Sequence, residues 1–208
     1  ASSGTMLTQG VYRWTADHYL DSGDYDRALQ VLDELLRQHP EEAQNGEVSY
    51  MFAEGYYGLK DWKRAMEYYR EAIDREVTSP LLERSYLGLG RCYFAMGEYE
   101  KAMYNLNMAI EGQVDNMTGA LTRFEIGNVH STMDNHEEAA KQYMMVAILY
   151  EDEDLCSRAL FLAGGSFEKA GMEDKALEAY RELVKRYPDN DLSRKVSEKI
   201  ENGQDEAE

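Results

Sequence analysis

Hydrophobic positions along this chain come in short runs at helical spacing, and the runs recur at one fixed interval. Between Tyr86 and Ile110, Tyr86, Leu89 and Tyr93 fall on one face of a first helix, and Ala102, Leu106 and Ala109 fall on one face of a second. Met96-Gly97-Glu98 breaks the pattern between them, so the stretch predicts a helical hairpin with a tight turn. Gly90 follows Leu89 where the two helices can approach closely.

The second-helix alanine recurs as Ala28, Ala65, Ala102, Ala139 and Ala176, each 37 residues after the last. Four residues on stand Leu32, Tyr69, Leu106, Tyr143 and Tyr180, and seven on stand Leu35, Ala72, Ala109, Val146 and Leu183. Nine residues before the alanine stand Tyr19, Tyr56, Tyr93, His130 and Phe167, and twelve before it Ala16, Ala53, Gly90, Gly127 and Gly164. The turn position holds Gly23, Lys60, Gly97, Asp134 and Gly171. A hairpin that repeats at one period, each copy burying its apolar face on the next, predicts an all-α solenoid without internal domain boundaries.

The runs Tyr19-Leu-Asp-Ser-Gly-Asp-Tyr-Asp-Arg-Ala28 and Phe94-Ala-Met-Gly-Glu-Tyr-Glu-Lys-Ala102 resemble the centre of the tetratricopeptide repeat, and Pro40 and Pro188 fall where that family often ends its second helix. The resemblance covers about nine-tenths of the chain and implies a right-handed superhelix of five hairpins. Each copy exceeds the usual repeat by three residues, close to one helical turn, which suggests longer second helices or wider joints. The expected repeats are 9–40, 46–78, 83–113, 120–150 and 157–187, separated by loop-like Pro40–Gly46, Val77–Pro80, Gly112–Asn116 and Glu151–Asp154. A capping helix is expected over 189–201, with Leu192, Val196 and Ile200 apolar and Arg194, Lys195, Glu198 and Lys199 wet. Residues 1–8 read as a disordered leader whose Ala1-Ser-Ser-Gly-Thr5 is an expression-tag remnant, and 202–208 as a disordered acidic tail.

Composition narrows the function classes. Forty acidic residues against 22 basic ones give a net charge of −18, which argues against nucleic acid and for partners with a basic or apolar segment. No apolar run approaches a bilayer span, and no secretory leader is visible. Two cysteines, Cys92 and Cys156, make no disulfide framework and read as free thiols. The compartment, cytoplasm or bacterial periplasm, stays open.

No catalytic, cofactor or metal site is expected. His130 and His136 occupy positions that are aromatic in the third repeat (Tyr93 and Tyr99) and read as packing residues, while His18 and His39 stand alone. Gly88-Leu-Gly90 and Gly164-Gly165 lie inside helices and do not form a phosphate loop. Asp21-Ser-Gly-Asp-Tyr-Asp26 lacks calcium-loop spacing and reads as a turn with a helix cap.

Two surfaces remain. In tetratricopeptide repeats the first helices line a concave groove. Carried over by offset, its residues are Arg13, Asp17 and Leu20, then Tyr50, Glu54 and Tyr57, then Leu87, Arg91 and Phe94. The fourth and fifth repeats add Phe124, Asn128 and Ser131, and Phe161, Gly165 and Glu168. Aromatics interleaved with charges suit a peptide or protein segment. The lysine and asparagine with which chaperone-type members hold a terminal carboxylate are missing. The second surface is the second helix of the fourth repeat. Met144, Met145, Ile148 and Leu149 stand there where the first, second and fifth repeats carry Arg, Glu, Asp, Gln and Lys and the third is intermediate (Asn107, Met108, Glu111, Gly112), an apolar convex patch fit for self-assembly or docking. The reading is a non-enzymatic adaptor, with a homo-oligomeric scaffold or a secretion or assembly chaperone as alternatives. Gly88-Leu-Gly-Arg-Cys-Tyr93 resembles secretion chaperones, and Ala179–Asn190 resembles repeats of bacterial envelope-assembly proteins.

Overall fold

The computed structural model describes the backbone of residues 8–112 and 115–205, with side chains throughout except at 198, 199 and 201–205. Residues 1–7 of the expected leader 1–8, residues 113–114 of the expected loop Gly112–Asn116, the side chains of Glu198 and Lys199 on the wet face, and the tail end 206–208 lie outside these. Among the described residues there are eleven α-helices and no strand. They gather into two compact units, residues 1–114 and 115–208, where the repeat pattern predicts an uninterrupted run.

Unit 1 holds three hairpins: α1 (Gln9–Asp21) with α2 (Tyr25–Gln38), α3 (Gly46–Gly58) with α4 (Trp62–Asp74), and α5 (Leu81–Ala95) with α6 (Tyr99–Glu111). Unit 2 holds α7 (Asn116–Thr132) with α8 (His136–Leu149), α9 (Glu153–Lys169) with α10 (Glu173–Arg186), and α11 (Asp191–Asp205), which packs on α10 and α9. The last helix therefore runs four residues past its expected end at 201.

The three extra residues per repeat go to different places in the two units. In unit 1 the first joint carries a short 3-10 turn, Pro40–Gln44, in place of a plain loop. In unit 2 the first helices lengthen instead: α7 and α9 have 17 residues, against 13 in α1 and α3. Asp115 and Asp152, read from sequence as loop, are the reason. Their carboxylates accept the backbone N–H of Thr118 (2.9 Å) and Leu155 (2.7 Å), starting each helix early. The second helices, expected as a possible site of the excess, keep 13 or 14 residues throughout.

Every hairpin turns the same way. Gly23, Lys60, Gly97, Asp134 and Gly171 all have φ between 58° and 77°. In each, the next residue's N–H donates back to the carbonyl of Tyr19, Tyr56, Tyr93, His130 or Phe167 at 2.9 Å. This doubly bonded left-handed cap satisfies the last carbonyls of the first helix and aims the chain back along it. Asp24 and Asp61 then cap the second helices through Arg27 N–H and Arg64 N–H. The recurring alanines are fully or almost fully buried, as are Leu32, Tyr69, Leu106, Tyr143 and Tyr180 four residues on. Each such large side chain contributes on the order of 1.5–3 kcal/mol by leaving water.

Candidate functional site

In unit 1, α1, α3 and the start of α5 enclose a hollow of about 550 Å³. Six of the groove positions carried over from the repeat family meet in it: Arg13, Asp17, Leu20, Tyr50, Glu54 and Tyr57. Trp14, Asp21, Tyr25, Glu47 and Met51 line it too, as do Leu81 and Arg84 from α5. Sequence offsets missed these. The signal for Trp14 was its spacing of four from His18, against which its indole stacks at 6.0 Å while remaining 71% exposed. Leu81 lies ahead of the expected boundary at 83, because α5 begins there, whereas Arg84 falls inside that repeat but at none of the carried-over offsets.

Glu54 lines the hollow. Its carboxylate accepts the hydroxyl protons of Tyr69 and Tyr50. Burial, with the adjacent Glu54 charge, pushes both phenols above their usual range, so they act as fixed donors. Arg84 and Arg91 lie close enough to Tyr50 to oppose that shift. Arg13, expected to face a ligand, lines the hollow and is paired there at 2.8 Å with Glu42 of the 3-10 turn, reaching Glu47 at 3.8 Å. Four lining carboxylates, Asp17, Asp21, Glu47 and Glu54, thus stand against Arg13 and Arg84, with Arg13 already paired. The hollow is aromatic and acidic.

The remaining groove positions divide. Leu87 is only 4% exposed and belongs to the core, because the α5 face it occupies packs inward. Phe94 is half-buried and sits 5.9 Å from Tyr99. In unit 2, Phe124 is 5% exposed, edge-on to Tyr143 at 5.4 Å and under Arg158 at 5.1 Å, so it too is a core ring. Asn128 accepts from the Tyr143 hydroxyl at 2.7 Å, the counterpart of the Tyr69–Glu54 bond, and Phe161 packs half-buried beside Tyr180. The convex patch also divides: Met145, Ile148 and Leu149 are exposed, while Met144 turns inward against the unit 2 core.

Burial, reinforced by Glu54, pushes the Cys92 thiol up to about 12, and burial raises Cys156 as well. Nδ1 of His130 and of His136 is buried without a hydrogen-bond partner, and among the described residues no three His, Cys, Asp or Glu side chains gather as a metal site. No described helix is long and apolar enough to cross a membrane.

Comparison with known proteins places the repeat. A family profile described as "Anaphase-promoting complex, cyclosome, subunit 3" matches residues 21–109, and the tetratricopeptide repeat profile matches residues 158–190. The TPR repeat-containing protein MJ1428 of Methanocaldococcus jannaschii is 28% identical over 188 residues, 90% of this chain and 31% of that one. The chain spans less than two-fifths of the length of the curated relatives it matches. Among solved structures, MamA superposes with a TM-score of 0.67 at 20% identity, covering 91% of this chain and 94% of MamA. YrrB, described as a TPR protein with an unusual peptide-binding site, superposes with a TM-score of 0.64 at 19% identity, covering 90% of each chain. At such identities the likeness is one of fold.

Proposed function

We infer the function from one premise: this chain is a tetratricopeptide-repeat protein, and that fold is a scaffold for protein–protein interaction. It works as a non-enzymatic adaptor that holds a segment of a partner protein in the unit 1 hollow. The observation that carries this reading is the convergence of Trp14, Tyr50 and Tyr57 with Asp17, Glu47 and Glu54 around one concavity. Rings give contact area at low entropic cost, and carboxylates on a chain of charge −18 favour lysine or arginine. The segment is basic and interspersed with apolar side chains. The test is fluorescence anisotropy with short labelled peptides alternating lysine and leucine, compared with glutamate and leucine. Glu54→Gln combined with Asp17→Asn is expected to weaken the basic peptide about tenfold, equivalent to about 1.4 kcal/mol. Equal binding by wild type and variant would sink the hollow as the site.

A second reading has its own observation. Met145, Ile148 and Leu149, at 40%, 69% and 58% exposed, put three large apolar side chains on the solvent face of α8. Such a patch supports assembly of copies into a scaffold. Light scattering over a range of concentrations would show a defined oligomer for wild type and a monomer for Met145→Asp/Ile148→Asp. Monomers in both would remove this reading.

A further inference from the structure

Unit 1 contains the same cleft twice, once filled and once open. In the first, between α2, α3 and α4, the ring of Tyr68 stacks on Phe52 (centroids 4.9 Å apart, planes at 16°) and on Tyr56 (5.4 Å, 16°). One repeat later the corresponding residues are Asn105, Leu89 and Tyr93. Asn105 does not reach into the cleft as a ring would; its amide donates to the carbonyl of Lys101 in its own helix at 2.8 Å. What remains is a pocket of about 480 Å³ among Ile73, Tyr86, Leu89, Tyr93, Tyr104 and Asn105. In unit 2 the matching positions are Gln142 and Ala179, and at the second of these Met144 from the preceding second helix turns half-buried onto the core that holds Ala179.

We propose that this pocket receives an aromatic side chain of a partner protein, in the place that Tyr68 fills one repeat earlier. Its walls are already set. The Tyr93 hydroxyl accepts from Arg70, and the Lys101 ammonium lies 5.5 Å from the Tyr93 ring centroid, so the ring is pinned from two sides. Leu89 supplies the opposite wall, and Tyr104, 64% exposed, supplies a second ring at the mouth. The rim charges balance, Arg70 and Lys101 against Asp74 and Glu100, which fits an uncharged occupant, unlike the acidic hollow that takes cations. The volume is within the range of pockets that enclose small ligands. This site uses Tyr86, Leu89 and Tyr93 of α5, whereas Leu81 and Arg84 of the same helix line the first hollow. It therefore stands whether or not that hollow binds a peptide.

The probe is p-cresol, the tyrosine side-chain analogue, titrated into the full chain while the methyl resonances of Ile73 and Leu89 are followed by NMR. Saturable shifts in the millimolar range are expected, with n-butanol at least tenfold weaker. Asn105→Tyr, which supplies the missing ring from within, should abolish the cresol shifts. Unmoved methyls, equal binding of the alcohol, or cresol seated at Asp17 and Glu54 would each overturn the proposal, as would undiminished shifts in a folded Asn105→Tyr. The two wild-type titrations decide the matter alone if that variant fails to fold. Glu54→Gln is expected to leave cresol binding unchanged.

Discussion

Lys60 carries a conformation that its three glycine counterparts adopt at no steric cost. With φ at 61° it occupies the left-handed turn position held by Gly23, Gly97 and Gly171, and a β-carbon there meets the following carbonyl. The side chain is exposed, so nothing in packing offsets that cost. Lys60→Gly is expected to stabilise the fold by about 1 kcal/mol in urea denaturation; a lower midpoint would contradict the turn assignment. Asp134, at φ 58°, gains less from the same change, because aspartate tolerates this region better. A second residue-level pattern is the cation just before four of the five recurring alanines. Arg27, Arg64, Lys101 and Lys175 lie 4.2–5.8 Å from the rings of Tyr19, Tyr56, Tyr93 and Phe167. In the fourth repeat the corresponding pair is His130 and Glu138, a replacement of both partners that no single-position reading shows.

At the scale of the element, the hairpins close by setting a small residue of the first helix against a large one of the second. A β-carbon on Gly164 would lie 2.2 Å from the Tyr180 ring, one on Gly127 2.6 Å from Tyr143, and one on Gly90 2.6 Å from Leu106. Gly164→Ala should therefore cost about 1–3 kcal/mol, since the buried Tyr180 ring has nowhere to retreat. Gly165→Ala is the control: its nearest neighbour would be the Tyr180 hydroxyl at 3.8 Å, so helix propensity alone applies and it should stabilise by up to about 1 kcal/mol. Paired thermal melts give both numbers. If both changes act in the same direction, close approach is not what holds α9 on α10.

For the whole molecule, the buried phenols set a limit on alkaline stability. Desolvation is the first cause of the upward shift at Tyr50, Tyr69, Tyr143 and Tyr180, and a neighbouring carboxylate adds to it in each. In the unfolded chain these phenols ionise near 10.0, in the folded one higher. Below that value their contribution is fully present. Above it the unfolded state sheds protons first, so stability falls as pH rises. Melting temperature is expected to drop as pH passes 10, with a last part of the phenolate absorbance, beyond that of exposed rings such as Tyr104, appearing only with unfolding. Complete ionisation of all 16 tyrosines without unfolding would show that these four are not sealed.

The period, the hairpins, the turn positions and the recurring core were legible in the sequence because they depend on local chemistry repeated five times. Spacing, turn residues and small-against-large pairs mean the same thing wherever they recur. Leu87 and Phe124 read as groove-facing from one-dimensional offset. Their real environments are decided by the inward face of α5 and an edge-on tyrosine, and Arg13, which does line the hollow, is paired there with a buried glutamate of the joint. Likewise the longer α7 and α9, the two units, the inward turn of Met144 and the empty place beside Asn105 arise from what neighbouring helices leave filled or open. A residue's offset within its repeat says which face it is on; only the packed neighbour says whether that face is covered.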